Sequence, residues 1–212
     1  MDHRMLMLIV GALLTAYLVG AIPFGLLIAR LRGVDIRTVG SRNTGATNVM
    51  RSVGPGWGIL TLALDALKGY AAIAAAPPAA EYLAQGSAPA WLALACGAAA
   101  IVGHNWPVYL RFKGGKGIAT SAGVLLGIAP LALLCGLAAF ALAFGLARYV
   151  SLGSIAAAIA VPVTAWLIRE PHDWATPTIL TLLGAIAIWR HRGNLQRLIN
   201  GNENRVRFGG GT

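Results

Sequence analysis

Long apolar runs, cut by three polar segments, set the pattern of this chain. A helix needs about 20 apolar residues to cross a bilayer. Runs at 5–29, 57–77, 89–103, 117–130, 131–147, 152–168 and 174–190 are the candidates, the third and fourth of them short. The stretch from Gly117 to Ala147 reads either as one long helix or as two, broken at Gly127 and Pro130. One helix there predicts six spans and two predict seven. The polar segments are 30–56, 104–117 and the tail from Arg190. The predicted fold class is therefore all-α, a polytopic integral membrane protein.

Composition agrees. Of 212 residues, 57% are hydrophobic and 11% charged, against about 25% charged in globular domains. That leaves room for a single membrane-embedded domain over 1–212 and none for a large soluble module. The first apolar run is too long for a signal-peptide core and has no A-x-A end, so it reads as a retained span. Cys96 and Cys135 lie in apolar runs without CxxC spacing and read as small buried hydrophobes.

Charge then chooses between six spans and seven. The net charge is +10. With seven spans and the N-terminus outside, all three polar segments, the short turn at Arg148 and the C-terminus face the cytoplasm. Fourteen of the seventeen Lys and Arg then lie inside, Arg207 among them. Arg4 and Arg169 stay outside with Asp2, Glu81, Glu170 and Asp173. The positive-inside rule favours this arrangement, because six spans would put one end of the basic set outside. No basic stretch is interleaved with exposed aromatics on a soluble platform, so nucleic acid is not an expected partner. Neither an internal repeat nor a matched pair of broken helices is present, which weakens a transporter reading.

The polar segments carry the candidate chemistry. In the first, SRNTGATN sets Ser41, Asn43, Thr44, Thr47 and Asn48 among Gly40 and Gly45, and Arg51 follows Asn48 by three. Backbone N–H groups near glycine, with hydroxyl and amide donors, make anion-binding concavities. The same residues also read as a capped turn, with Thr44 or Thr47 as N-cap and Arg51 as a positive-inside anchor. In the second segment, RFKGGKG fails the Walker spacing, because no glycine stands four residues before a G-K-[ST] triplet. Gly114, Gly115 and Gly117 still allow close backbone approach, and Lys116 supplies a point charge for phosphate at a helix start. A flexible basic loop is the plainer alternative. His104 heads that segment, and His191 with Asn194 heads the third. Each histidine reads as an interfacial side chain or as a phosphate donor or base. Asp65 and Lys68 stand at i, i+3 inside a span, where an ionisable pair is either functional or a support for the first loop. Ser154 is a helix cap or a site hydroxyl.

What is missing narrows the reaction. There is no nucleophile elbow, no HExxH or carboxylate cluster that points to a metal, and no His followed five positions on by Asp. The inner-side carboxylates are Asp35 and Glu203. A site rich in cations and donors but poor in bases suits phosphorylated substrates better than hydrolysis by an activated water.

Three motifs, GSRNTGATNVMRSVG (40–54), GHNWPVYLRFKGGKGIATSAG (103–123) and RHRGNLQRLINGNENR (190–205), together with DALKG (65–69) and RYVSLGS (148–154), run through nearly the whole chain. In order and spacing they resemble the bacterial acyl-phosphate:glycerol-3-phosphate acyltransferase family. The resemblance implies a seven-helix enzyme of the bacterial cytoplasmic (inner) membrane with its active site facing the cytoplasm. It would move a fatty acyl group from acyl phosphate to the sn-1 hydroxyl of glycerol 3-phosphate. The products would be lysophosphatidic acid and inorganic phosphate, in the first step of phospholipid biosynthesis. Its partners would be those two substrates and membrane lipid, with no cofactor and no metal. By motif position, Ser41, Arg51, Lys116, Ser154, His191 and Asn194 are the expected catalytic residues, with Glu203 a further match. Asn43, Gly45, Thr47, Asn48, His104, Gly114, Gly115 and Gly117 are the expected substrate- and phosphate-binding residues. Two departures stand in the first motif, where Arg42 replaces a family glycine and Thr44 a proline. In the third, Gly193 replaces a glutamate, so no glycine role at 42 and no carboxylate role at 193 carries over.

Overall fold

The computed structural model describes residues 3–206, and Asp2 and Arg207, both counted in the topology argument above, lie outside them. The described residues form ten α-helices and one 3-10 turn, with no strand. In chain order the helices are α1 (His3–Ala21), α2 (Phe24–Leu31), α3 (Ala46–Ser52), α4 (Pro55–Ala84), α5 (Leu92–Asn105), α6 (Ile118–Ile128), α7 (Pro130–Ala147), α8 (Val150–Ile168), α9 (Ala175–Arg190) and α10 (Arg192–Ile199), with the 3-10 turn at Val108–Leu110.

All seven apolar runs are largely helical, with one correction and one open alternative decided. The run at 5–29 is not continuous. Proline has no N–H and disfavours helix at the residue before it, and the chain breaks at Ile22–Pro23 between α1 and α2. The run from Gly117 to Ala147 is two helices. Ala129, at φ −152° and ψ 62°, stands between α6 and α7, and Pro130 starts the second where its missing N–H costs nothing. Among the described residues, four apolar stretches are long enough to cross a membrane: His3–Leu31, α4, α7 and α8. At 1.5 Å per residue the 30 residues of α4 span roughly 45 Å, and the 11 of α6 only about 17 Å.

The helices divide into two compact units, one ending at Ile128 and one beginning at Ala129. Both invert the packing of a soluble protein. Their interiors hold small residues such as Ala16, Ala29, Ala100 and Ala132. Large side chains such as Leu14, Leu134, Leu142 and Leu167 point outward. Hydrocarbon chains are as apolar as leucine, so helix association in lipid rests on close backbone contact through small residues.

In the first unit α1 packs on α4 and α5, and α4 on α6. Tyr17 ties α1 to the end of α5 by donating to the Trp106 carbonyl at 2.8 Å. On the α4–α6 seam a Cβ at Gly123 would collide with the Ala66 carbonyl, and one at Gly69 with that of Thr120. In the second unit α8 packs on α7 and α9. Arg169, after α8, lies 3.8 Å from the ring centroid of Trp174 and 5.8 Å from that of Trp166. Cys96 is fully buried, as expected, and Cys135 only partly.

Replacing Gly123 by leucine should wedge α6 off α4 and destabilise the protein by about 1–3 kcal/mol. A thermal unfolding series in detergent checks this, with Gly145→Leu, at a glycine with open space beside it, as the control.

Candidate active site

The first loop is built around Asn48. Its amide nitrogen donates to the carbonyls of Ile36 (3.2 Å), Val39 (3.1 Å) and Asn43 (3.0 Å), and its Oδ1 accepts the Ser41 N–H at 3.0 Å. Asn43 Oδ1 accepts the Gly45 N–H at 2.9 Å, a side-chain turn that asparagine favours. Asn48 is buried and engaged wholly within the loop. It shapes the loop rather than offering a polar atom outward. Thr47 and Arg51, one turn of α3 apart, are exposed, and so is Ser41. The N-cap of α3 is Gly45, not Thr44 or Thr47, and no side chain caps it. Thr44 is buried instead. Arg42 holds φ 57°, in the left-handed region that glycine prefers. The turn is the one a glycine would make, and this chain keeps it with an arginine.

The second loop is folded onto the end of α5. His104 lies in the last turn of α5 rather than at the head of a loop. Its carbonyl accepts the Gly115 N–H at 3.1 Å, and the Asn105 carbonyl accepts the Gly114 N–H at 3.3 Å. A Cβ at Gly115 would fall on His104 Nε2, and one at Gly114 on the His104 carbonyl. Gly117 holds φ +82° against the Asn105 side chain, just before α6 begins. Each of these glycines is therefore required sterically. Lys116, partly exposed, stands between Gly115 and Gly117.

Beneath this loop three ionisable side chains meet inside the helices. Lys68 Nζ lies 2.7 Å from Asp65 Oδ1, and His104 Nδ1 lies 3.6 Å from the same oxygen. All three are buried. Lys68 also donates to the Ile22 carbonyl at 2.8 Å, at the break between α1 and α2. Thr44 from the first loop, His104 from the end of α5 and Pro107 from the second loop line one small cavity with Ile22, Asp65 and Lys68.

In the second unit Glu203 gathers a separate cluster. Its carboxylate accepts from Ser151 Oγ (3.0 Å), Asn194 Nδ2 (2.7 Å) and Arg197 Nε (2.7 Å). Burial pushes the Glu203 carboxyl up, and these hydrogen bonds together outweigh it, leaving the group below its usual range. The tail is pinned further where the Val206 N–H donates to the Arg148 carbonyl at 2.9 Å and Arg205 Nε to that of Ala147 at 3.2 Å. His191 is buried, with Nδ1 2.8 Å from the Ala187 carbonyl. A carbonyl only accepts, so Nδ1 carries a proton and Nε2 is the basic nitrogen of the neutral ring. Ser154 lies one turn inside α8, not at its cap, and donates to the Val150 carbonyl at 2.9 Å. Ser151 was not anticipated as a partner; being the first of the two serines in RYVSLGS was its only signal.

Neither Asp35 nor Glu203 is a base in waiting. Glu203 is tied as described, and hydrogen bonds from Arg37 lower exposed Asp35 to about 2. Among the described residues no group of three metal-ligating side chains occurs.

Comparison with known proteins places this geometry. The family model described as glycerol-3-phosphate acyltransferase matches residues 10–201. The glycerol-3-phosphate acyltransferase of Geobacter metallireducens is 53% identical over 193 residues, 91% of this chain and 94% of that protein. That of Halalkalibacterium halodurans is 42% identical over 206 residues, 94% of each. Among solved structures, the glycerol 3-phosphate form of PlsY (YgiH), an integral membrane glycerol 3-phosphate acyltransferase, matches with a TM-score of 0.83 at 37% identity, over 94% of this chain and 96% of that one. Its lysophosphatidic acid form matches with a TM-score of 0.81 at 36% identity, over 94% of this chain and 95% of that one.

Two outcomes follow from the loops. Arg42→Gly should stabilise the protein by about 1 kcal/mol, because the left-handed cost removed exceeds the chain entropy glycine adds; thermal unfolding measures it. For Glu203, a folded carboxyl held below 4.5 contributes stability above that pH and loses it as pH falls through 4.5 and below. Hydrogen exchange over 194–206 should therefore accelerate on acidification in the wild type, and Glu203→Gln should remove that pH dependence.

Proposed function

We propose, for a chain that belongs to the glycerol-3-phosphate acyltransferase family, that the acyl donor is an acyl phosphate and the acceptor the sn-1 hydroxyl of glycerol 3-phosphate. Lysophosphatidic acid and inorganic phosphate are the products. The single observation that carries this reading is the glycine loop Gly114–Gly117. It is packed sterically against His104 and Asn105 and followed by a helix start, and it presents Lys116. A cradle of this kind suits a tetrahedral dianion.

Acyl phosphate is a mixed anhydride, so its leaving group needs little activation. What remains for the protein is to hold two anions, orient the hydroxyl and stabilise the oxyanion. The glycerol oxygen bonds to the acyl carbonyl carbon, the bond from that carbon to the phosphate oxygen breaks, and phosphate leaves with the electron pair. With Asp35 and Glu203 both committed to arginines, the hydroxyl proton goes to the departing phosphate. His191, through Nε2, is the alternative acceptor.

The proposed roles follow. Gly114, Gly115, Lys116 and Gly117, with Thr47, bind the acyl phosphate group. Arg51 and Ser41 are cation and donor beside it, and Asn43, Gly45 and Asn48 shape their loop. His104 supports the glycine loop from below. In the second unit, His191 and Asn194 serve the glycerol 3-phosphate, and Ser154 is a site hydroxyl. The proposed membrane arrangement is a single embedded domain of seven spans, with the N-terminus outside and the site on the cytoplasmic side of the bacterial inner membrane. The apolar helices and the basic inner loops support it.

Purified protein given palmitoyl phosphate and glycerol 3-phosphate should release lysophosphatidic acid and phosphate, and acyl-CoA should not substitute. Product from acyl-CoA alone would overturn the donor assignment. Lys116→Ala should lower kcat/KM by about 100-fold or more, as loss of a preorganised charge does. His191→Gln separates the two proton acceptors: near-normal turnover leaves the phosphate as the base.

A further inference from the structure

We propose that Asp65, with Lys68, is a positioning residue for the glycine loop, acting through His104 from inside the membrane-embedded helices. The inference rests on the reading that Lys116 binds a substrate phosphate.

A carboxylate and an ammonium inside a lipid-facing bundle are costly and need a purpose. Asp65 and Lys68 form an ion pair at 2.7 Å, and the rest of their contacts run to two different places. Lys68 reaches across to the Ile22 carbonyl, exposed where Pro23 breaks the first span. Its ammonium lies 5.6 Å from the centroid of the Phe24 ring, just past the same break. Asp65 faces the imidazole of His104. The imidazole in turn fills the position that a Cβ on Gly115 would need, and the His104 carbonyl holds the Gly115 N–H. Orientation thus passes from a carboxylate on α4 to a ring on α5, and from that ring to the backbone of Gly115, immediately before Lys116.

The alternative, that the ion pair merely stabilises the bundle, makes different demands. A pair that only joined α4 to the break would need Lys68 and Ile22 but not His104. A histidine that only packed would not need a carboxylate facing its Nδ1. The ring stands with one nitrogen toward Asp65 and the other against the loop. That is the arrangement in which a carboxylate fixes imidazole orientation.

The test is a double-mutant cycle in the full-length protein, purified in detergent and assayed with palmitoyl phosphate. Asp65→Asn and His104→Gln are made singly and together, with kcat and KM measured for each substrate. If orientation passes through the ring, each single change raises KM for palmitoyl phosphate by about tenfold or more. The double change is then no worse than the weaker single one, because the two groups act as one unit. Effects that multiply overturn the proposal.

Hydrogen exchange supplies a readout that bundle stability alone would not move. In Asp65→Asn the peptide covering 112–117 should exchange faster while α4 and α5 keep their protection. Unchanged exchange at 112–117 overturns the proposal. If Asp65→Asn does not fold, Asp65→Asn with Lys68→Gln removes both charges together and leaves no unpaired ion, since glutamine still donates to the Ile22 carbonyl. The same rise in KM is expected, and wild-type KM overturns the proposal. Lys116→Ala keeps the two readings apart. Wild-type KM in that variant sinks the phosphate assignment, whereas the exchange result speaks to Asp65 alone.

Discussion

Backbone polar groups inside a bilayer must find partners within the protein, because hydrocarbon offers none. Most of this molecule meets the constraint with helices. Where it does not, at the proline break after α1, the Ile22 carbonyl accepts a hydrogen bond from Lys68, and much of the candidate site is linked to that repair. The lysine brings Asp65 with it, Asp65 faces His104, and His104 underlies the glycine loop. A local defect in one span is thereby joined to the place where a phosphate is proposed to bind.

The same constraint explains the glycines. In a soluble core, large side chains interlock and backbones stay apart. Here many large side chains face outward and backbones touch at small residues, so Gly69 and Gly123 lie against carbonyls of neighbouring helices. Glycines in the second polar segment follow the same logic one level up, with Gly114 and Gly115 pressed onto the end of α5. Close approach, more than freedom of rotation, is what most of these positions require. Gly117 is the exception, needing both.

Much of this was legible in the chain. Apolar length fixed where helices lie, and the Asp65–Lys68 spacing predicted a pair that the structure shows at 2.7 Å. Pro23 was visible too, yet a single proline in a long apolar run does not by itself distinguish a kink from a full break. Asn48 was harder. Its sequence context marks it as a donor, but whether a donor faces a ligand or its own loop depends on where the carbonyls of Ile36 and Val39 end up, more than eight residues earlier. Likewise nothing in the order of residues announced that Ser151 and Glu203, fifty-two apart, would share a hydrogen bond. Short-range rules reach one turn of helix; these contacts are made by packing. The departure at Arg42 shows the reverse case, where backbone geometry persists although the residue suited to it does not.

Glu203 has a consequence for how the molecule is made. Domains form during synthesis from the N-terminal side. The Asp65–His104–Gly115 linkage has all its members once the glycine loop has been translated. The Ser151–Asn194–Glu203 cluster must wait for a carboxylate that comes after α10. Until then Ser151 and Asn194 are in place without the acceptor they share. The two clusters, each within its own unit, thus have all their members at different points of synthesis.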